Sequence, residues 1–123
     1  MNYTKILEWL AAQGVADLYT SDAVANPTSG PGAVLFSHTA GGQLILYRLT
    51  FLNDSDVPQN YRVETNDGGG WEVAEIECVP AHTAEQVVVF VAVPATESVR
   101  IGIVADENAT GTSRVAVEYI DLG

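Results

Sequence analysis

Basic residues are scarce in this sequence. Five of its 123 residues are Lys or Arg and 16 are Asp or Glu, which gives a formal net charge of −11. Nucleic acids and anionic membrane surfaces recruit Lys and Arg, so this balance argues against DNA, RNA or a membrane surface as a partner. The hydrophobic content of 47% is ordinary for a globular chain, and the length fits a single domain.

Cysteine, histidine and long apolar runs are also scarce. The one cysteine, Cys78, cannot close a disulfide within the chain, and the apolar run Ile76–Val79 predicts that its side chain is buried and unreactive. Neither His38 nor His82 lies in a pattern that supports nucleophilic or acid–base catalysis, so no enzyme activity is expected. No run reaches the roughly 18 apolar residues of a transmembrane helix, and no signal-peptide pattern is present. The expected location is a virion or the cytoplasm.

The first residues carry the apolar spacing of a short helix. Asn2 is a suitable N-cap and Gly14 a suitable C-terminal stop. A helix of about three turns is marginal alone, so it must pack either on the rest of the chain or on a neighbouring subunit. This helix and the Pro/Gly-rich segment that follows it together form the predicted N-terminal arm, residues 1–32. Docking on a partner would use Ile6, Leu7, Trp9 and Leu10.

Beyond the arm, the apolar pattern changes to a period of two. Turn residues divide residues 33–123 about every dozen residues, which is typical of an antiparallel β-sandwich, and no helical pattern alternates with the strands. The seven predicted strands are Ala33–Ser37, Gln43–Leu52, Gln59–Asn66, Trp71–Val79, Glu85–Val93, Ser98–Ala105 and Ser113–Asp121.

Two of these strands, Gln43–Leu52 and Glu85–Val93, are apolar on both faces. Such a strand needs cover on both sides, and either the N-terminal helix or another subunit would supply it. Cover by another subunit would mean that the domain assembles, as a homo-oligomer or with capsid or tail proteins, and this is the strongest indication of assembly in the sequence; cover by the chain's own helix remains the alternative.

Packing and turn residues between Leu49 and Asp121 carry a family resemblance. The segments that carry it are Leu49–Asp54, Tyr61-Arg62-Val63, Gly70-Trp71-Glu72-Val73, Val79–Glu85 and Val87–Pro94. This region resembles a bacterial immunoglobulin-like domain of the CARDB-like or alpha-galactosidase-associated type. The resemblance implies a mainly β fold, an immunoglobulin-like antiparallel sandwich of about seven strands, and assigns no catalytic residue.

An immunoglobulin-like strand order would bring several acidic turns to one end of the sandwich. Asp54, Asp56, Asp106 and Glu107 would then lie together. Calcium prefers oxygen ligands of this kind, although the spacing is not that of an EF-hand, and solvated turn residues are the simpler interpretation. No other cofactor is expected.

Trp71 follows three glycines and has two interpretations. Packing in the sandwich core is favoured, and stacking against a bound sugar is the alternative.

These features predict a non-enzymatic structural or interaction protein. A virion component is favoured, such as a capsid decoration, spike or tail protein that assembles through its N-terminal arm and apolar strands; this step rests on analogy with the fold. The alternative is a carbohydrate- or cell-surface-binding module that uses the acidic loop end. A third hypothesis is that the sequence is a piece of a larger secreted protein and that Met1 was added by cloning.

Overall fold

The computed structural model describes residues 16–122 together with Lys5 and Trp9. Residues 16–122 form nine β-strands, two more than the sequence predicts, and contain no helix. The predicted N-terminal helix lies outside the described residues, apart from Lys5 and Trp9. The strands are β1 (Ala16–Thr20), β2 (Val24–Ala25), β3 (Ala33–Thr39), β4 (Leu44–Asp54), β5 (Gln59–Asn66), β6 (Trp71–Val79), β7 (Thr83–Val93), β8 (Ser98–Ile103) and β9 (Thr112–Asp121).

The nine strands form two antiparallel sheets. Sheet A has the order β1-β9-β4-β7, with β2 also pairing with β9, and sheet B has the order β3-β8-β5-β6. Among these strands only β5 and β6 are both consecutive and paired; β1 and β2 both pair with β9, and every other connection crosses from one sheet to the other. This connectivity is that of a jelly roll. The mainly β sandwich is thus confirmed, but the immunoglobulin-like order, which contains several hairpins within a sheet, is wrong.

The two additional strands belong to the segment that the sequence assigns to the arm. β1 pairs with β9 from Ala16, opposite Ile120, to Thr20, opposite Ala116, and β2 continues along the same strand. Strand pairing in the sandwich therefore starts well before residue 33. β2 has two residues and β1 has five, and strands this short do not show a reliable alternation of apolar and polar residues in the sequence.

The core lies between the sheets and is built from alternating side chains. The largest buried rings, Phe51 of sheet A and Tyr61 of sheet B, stack with their centroids 4.6 Å apart. Ile101 and Ile103 of β8 and Val117 of β9 are also almost fully buried. The alternation fixes which face of each strand meets the other sheet, and the side chains between them point away from the core. Among the described residues, no helix is long and apolar enough to span a membrane.

Candidate functional site

Sheet A carries apolar side chains on the side that faces away from the core. Their positions follow from the alternation of β4, β7 and β9, and a β-bulge at Tyr47 turns two successive side chains, Tyr47 and Arg48, to this side. We call this surface the apolar face; its members are Leu18, Ile45, Tyr47, Leu52, Val88, Phe90 and Ile120. β4 and β7 are thus apolar on both faces, as their sequence pattern predicts.

Burial divides the apolar face into two parts. Tyr47 and Ile120 are 4% and 0% exposed although neither belongs to the core cluster between the sheets. Leu18, Leu52 and Val88 are 67%, 39% and 54% exposed. One part of the face is therefore covered and another part presents large apolar side chains to solvent.

The predicted contact residues of the arm are only partly described. Trp9 is 62% exposed. Ile6, Leu7 and Leu10 lie outside the described residues, so their contact with a partner stays a prediction.

The predicted acidic end is brought together only in part. Asp56 contacts His82 Nε2 at 2.8 Å and Asp54 contacts His82 Nδ1 at 3.4 Å. The hydrogen bond to Asp56 is the largest cause that raises the pKa of His82 above its ordinary value; desolvation works against the shift and Asp54 adds to it. Asp106 instead accepts a hydrogen bond from the backbone N–H of Asn108 at 2.9 Å.

Metal binding at this end gains no geometric support. Within the part of the chain that the structure describes, no group of three or more His, Cys, Asp or Glu side chains could hold a metal ion. The calcium site of Asp54, Asp56, Asp106 and Glu107 therefore stays a prediction from the sequence.

Trp71 lies outside the core, contrary to the favoured interpretation. It begins β6, the edge strand of sheet B, and the Arg100 guanidinium carbon lies 4.0 Å from the centre of its rings. Arg100 also donates from Nε to Glu64 at 3.2 Å. The indole therefore supports a cation on the outer face of sheet B, and cation–π contact with an indole is the strongest of its kind.

Beside Arg100, the outer face of sheet B contains an open groove of about 340 Å³. Gly102 of β8 forms its floor: in the strand register it lies between Arg62 of β5 and Val34 of β3. Because Gly102 has no side chain, the two neighbouring strands border an opening there. The residues that line it include Pro31, Val34, Arg62, Glu64, Arg100 and Gly102.

Sequence analysis misses this groove because three strands build it through long-range pairing. A signal nevertheless exists in the composition. Two of the five basic residues, Arg62 and Arg100, occupy outward positions in predicted strands of a strongly acidic chain. Such rare cations on one surface mark it as chemically distinct.

Cys78 is exposed, so the prediction of a buried thiol is wrong. It lies in the edge strand β6, which among the described strands pairs only with β5. The apolar run Ile76–Val79 contributes only Val79 to the core, while Ile76 is exposed. An edge strand with one neighbour can leave apolar side chains in solvent that a central strand would bury.

His38 takes part in a structural contact near the end of β9. Its Nε2 lies 3.1 Å from Asp121, and the same carboxylate accepts hydrogen bonds from the backbone N–H groups of Gly41 and Gly42 at 3.3 and 3.1 Å. The carboxylate thus holds the β3–β4 turn against β9.

Solved structures share this fold. A Bacillus endospore appendage protein, from appendages that form disulfide-linked pili, aligns with a TM-score of 0.60 and 13% identity over 89% of this chain and 88% of that chain. The globular domain of zebrafish complement 1qA aligns with a TM-score of 0.57 and 9% identity over 88% and 96%. A chain of the T13 infectious bursal disease virus particle aligns with a TM-score of 0.51 and 16% identity over 87% and 31%, so this chain spans about a third of it.

Identities this low show the fold alone. No protein-family model matches the chain, and no curated protein sequence matches it significantly. The comparisons support a β-sandwich and give no support to the CARDB-like or alpha-galactosidase-associated type.

Proposed function

We propose that this chain is a non-enzymatic structural subunit, most simply of a virion, that associates with further copies of itself through the apolar face of sheet A and its N-terminal arm. The observation that carries the proposal is the exposure of Leu18, Leu52 and Val88 on one side of one sheet. In the strand register Leu18 and Val88 flank the Glu118–Arg48 pair, so they lie in one row across the sheet. Large apolar side chains exposed together on one surface mark sites of protein contact.

The energetic argument is the burial of this surface on association. Each apolar Å² removed from water contributes about 25 cal/mol, so several large side chains together supply a substantial driving force. Arg48 and Glu118, which lie beside Tyr47 on the same side, pair at 3.3 Å and bring no net charge to the contact. Arg114, opposite Leu52 on the same side of sheet A, adds one positive charge, so these residues contribute no part of the net charge of −11 that would otherwise keep copies apart.

The structural comparisons support this role at the level of fold. Two of the aligned proteins come from a pilus and from a virus particle, both of which are multi-subunit assemblies. In this chain, assembly would use Ile6, Leu7, Trp9 and Leu10 of the arm as the second contact.

The mass in solution, measured by light scattering, tests the proposal. We expect the full chain to have a multiple of its 13.1 kDa mass. The double variant Leu52→Gln/Val88→Gln should shift toward the monomer, as should deletion of residues 1–14. Ile76→Gln is the matched control, because this exposed side chain lies on the edge of sheet B, and it should leave the mass unchanged.

A monomeric full chain at every soluble concentration would contradict the proposal. So would an oligomer whose mass neither the double variant nor the deletion alters. Circular dichroism on each variant separates loss of association from loss of folding.

A further inference from the structure

The groove over Gly102 has one positive charge that the described residues do not neutralise. Arg100 is paired with Glu64 at 3.2 Å. Arg62 is exposed and has no carboxylate within ion-pair distance in the described part of the chain. In a molecule of net charge −11, an unpaired guanidinium beside a paired one makes a local site for a single anion.

The shape of the groove suits a compact ligand with a polar edge and an apolar face. Its volume of about 340 Å³ is at the lower end of small-molecule sites, which span about 300–1,000 Å³. Arg62 of β5 flanks the Gly102 floor, and the Glu64–Arg100 pair lies two residues further along β5 and β8, while Pro31 and Val34 of β3 provide apolar surface. The ligand would therefore turn its polar groups toward β5 and β8.

We propose that this groove binds a sugar acid, a sugar ring with a single carboxylate, such as a uronic or sialic acid residue. The Arg62 guanidinium pairs with the carboxylate, because its planar donors match two carboxylate oxygens. Glu64 accepts hydrogen bonds from ring hydroxyls. The remaining N–H groups of Arg100 donate to hydroxyl oxygens, and the Trp71 indole holds this guanidinium in place. This site lies apart from the apolar face of sheet A, and the proposal does not depend on assembly.

The charge of the whole molecule favours a ligand with one carboxylate over a polyanion. A nucleic acid or an acidic peptide would bring many negative charges toward a surface of net charge −11. A single sugar acid brings one charge, which Arg62 neutralises. At the acidic loop end, where the sequence analysis places a carbohydrate site, Asp54 and Asp56 already engage His82.

The proposal is tested by titrating the full-length chain with glucuronate, galacturonate, N-acetylneuraminate or glucose. Binding is measured by calorimetry and by the shifts of the amide NMR signals. We expect saturable binding of at least one sugar acid, with shifts at Arg62, Arg100 and Gly102, and binding of glucose at least about tenfold weaker. Arg62→Gln should weaken sugar-acid binding by about tenfold or more, and Arg62→Lys should have an intermediate effect. Arg114→Gln, which removes an exposed cation on the other sheet, should change nothing.

Absence of saturable binding for all three acids would overturn the proposal. Equal affinity for glucose, or unchanged affinity in Arg62→Gln, would also overturn it, as would binding of a glutamate-rich peptide without binding of any sugar acid. Unchanged circular dichroism and unfolding midpoint in Arg62→Gln show that the variant is folded. Because the readout is ligand binding, failure here leaves the mass-based test of assembly intact.

Discussion

Tyr61 of sheet B and Ser113 of sheet A place their hydroxyl oxygens 2.7 Å apart in the buried interior. The Ser113 hydroxyl donates to Asn26 Oδ1, and Asn26 Nδ2 donates to the carbonyl of Thr110 at 2.8 Å. The single proton of Ser113 is therefore used, and Tyr61 must be the donor between the sheets. Burial raises the pKa of Tyr61, which keeps this donor protonated.

Tyr61→Phe removes that donor and keeps the ring that stacks on Phe51. The Ser113 oxygen then loses its buried partner, and we expect the free energy of unfolding to fall by about 1–2 kcal/mol. The measurement is urea unfolding, and the slope of the free energy of unfolding against urea concentration should be the same in the variant and the wild type. Tyr19→Phe is the matched control, since Tyr19 is 40% exposed at the edge of sheet A, and it should change stability by less than about 0.5 kcal/mol. Equal effects of the two variants would show that the bond between the sheets contributes nothing.

Asn53 joins three chain segments at the end of β4. Its Nδ2 group lies 2.9, 3.1 and 3.1 Å from the carbonyl oxygens of Val57, Val79 and Pro80, and its Oδ1 accepts from Ser55 at 2.6 Å. The side chain is fully buried. Asn53→Ala leaves several buried polar groups unpaired, so we expect a loss of about 3 kcal/mol in urea unfolding. Asn108→Ala, in an exposed loop, should have almost no effect, and a comparable loss there would argue against the role given to Asn53.

The positions of most strands can be predicted from the sequence because they depend on the local alternation of apolar and polar residues. β5 and β6 have the predicted bounds, and the turns between strands carry the expected Gly, Pro, Asn and Asp residues. The order of the strands was not accessible, because a period of two shows which face of a strand is apolar and not which strand lies beside it. The immunoglobulin-like prediction failed at this step.

The same limit explains the errors at particular residues. Asn53 is interpreted as a turn residue because its contact with Val57 is local, whereas its partners Val79 and Pro80 become neighbours only after β4 and β6 assemble. The sequence predicts that Trp71 and Cys78 are core residues, because local composition does not show that β6 is an edge strand. The groove depends on Gly102 lying between Arg62 and Val34, which no local pattern predicts.

His82 is expected to titrate above its ordinary pKa of 6.5, chiefly because of its hydrogen bond to Asp56. A raised pKa in the folded state means that folding favours the protonated form. This stabilisation is therefore complete below pH 6.5 and is lost as the pH rises through the folded-state pKa. The measurements are an NMR titration of the imidazole and the stability difference between the wild type and His82→Gln at about pH 6 and about pH 9.

Asp56→Asn is the matched variant for this titration. It keeps a hydrogen-bonding side chain and removes the charge, so the midpoint of His82 should fall toward 6.5. A midpoint that is the same in the wild type and in Asp56→Asn would contradict the assigned cause of the shift.

Gly32 and Gly30 give a matched pair of substitutions near the groove. Both have positive φ, 91° and 82°, so alanine is strained at either position. A Cβ on Gly32 would also overlap the backbone carbonyl oxygen of Ile103, whereas no neighbouring atom of the described residues comes within 4 Å of a Cβ on Gly30. Gly30→Ala should therefore cost about 1 kcal/mol and Gly32→Ala clearly more, lowering the thermal midpoint by several degrees beyond the Gly30→Ala value. Equal midpoints for the two variants would contradict the close contact with Ile103.

Cys78 tests which surface takes part in assembly. Its side chain is exposed on the edge strand β6 of sheet B, so a thiol reagent should modify one equivalent in the folded chain without denaturant. Protection until the chain unfolds would contradict the exposed position. Because the apolar face lies on sheet A, the reaction should stay fast at concentrations at which oligomers form. A thiol that becomes protected only in the oligomer would instead place β6 in the contact, and it would move the assembly surface from the outer side of sheet A to the edge of sheet B.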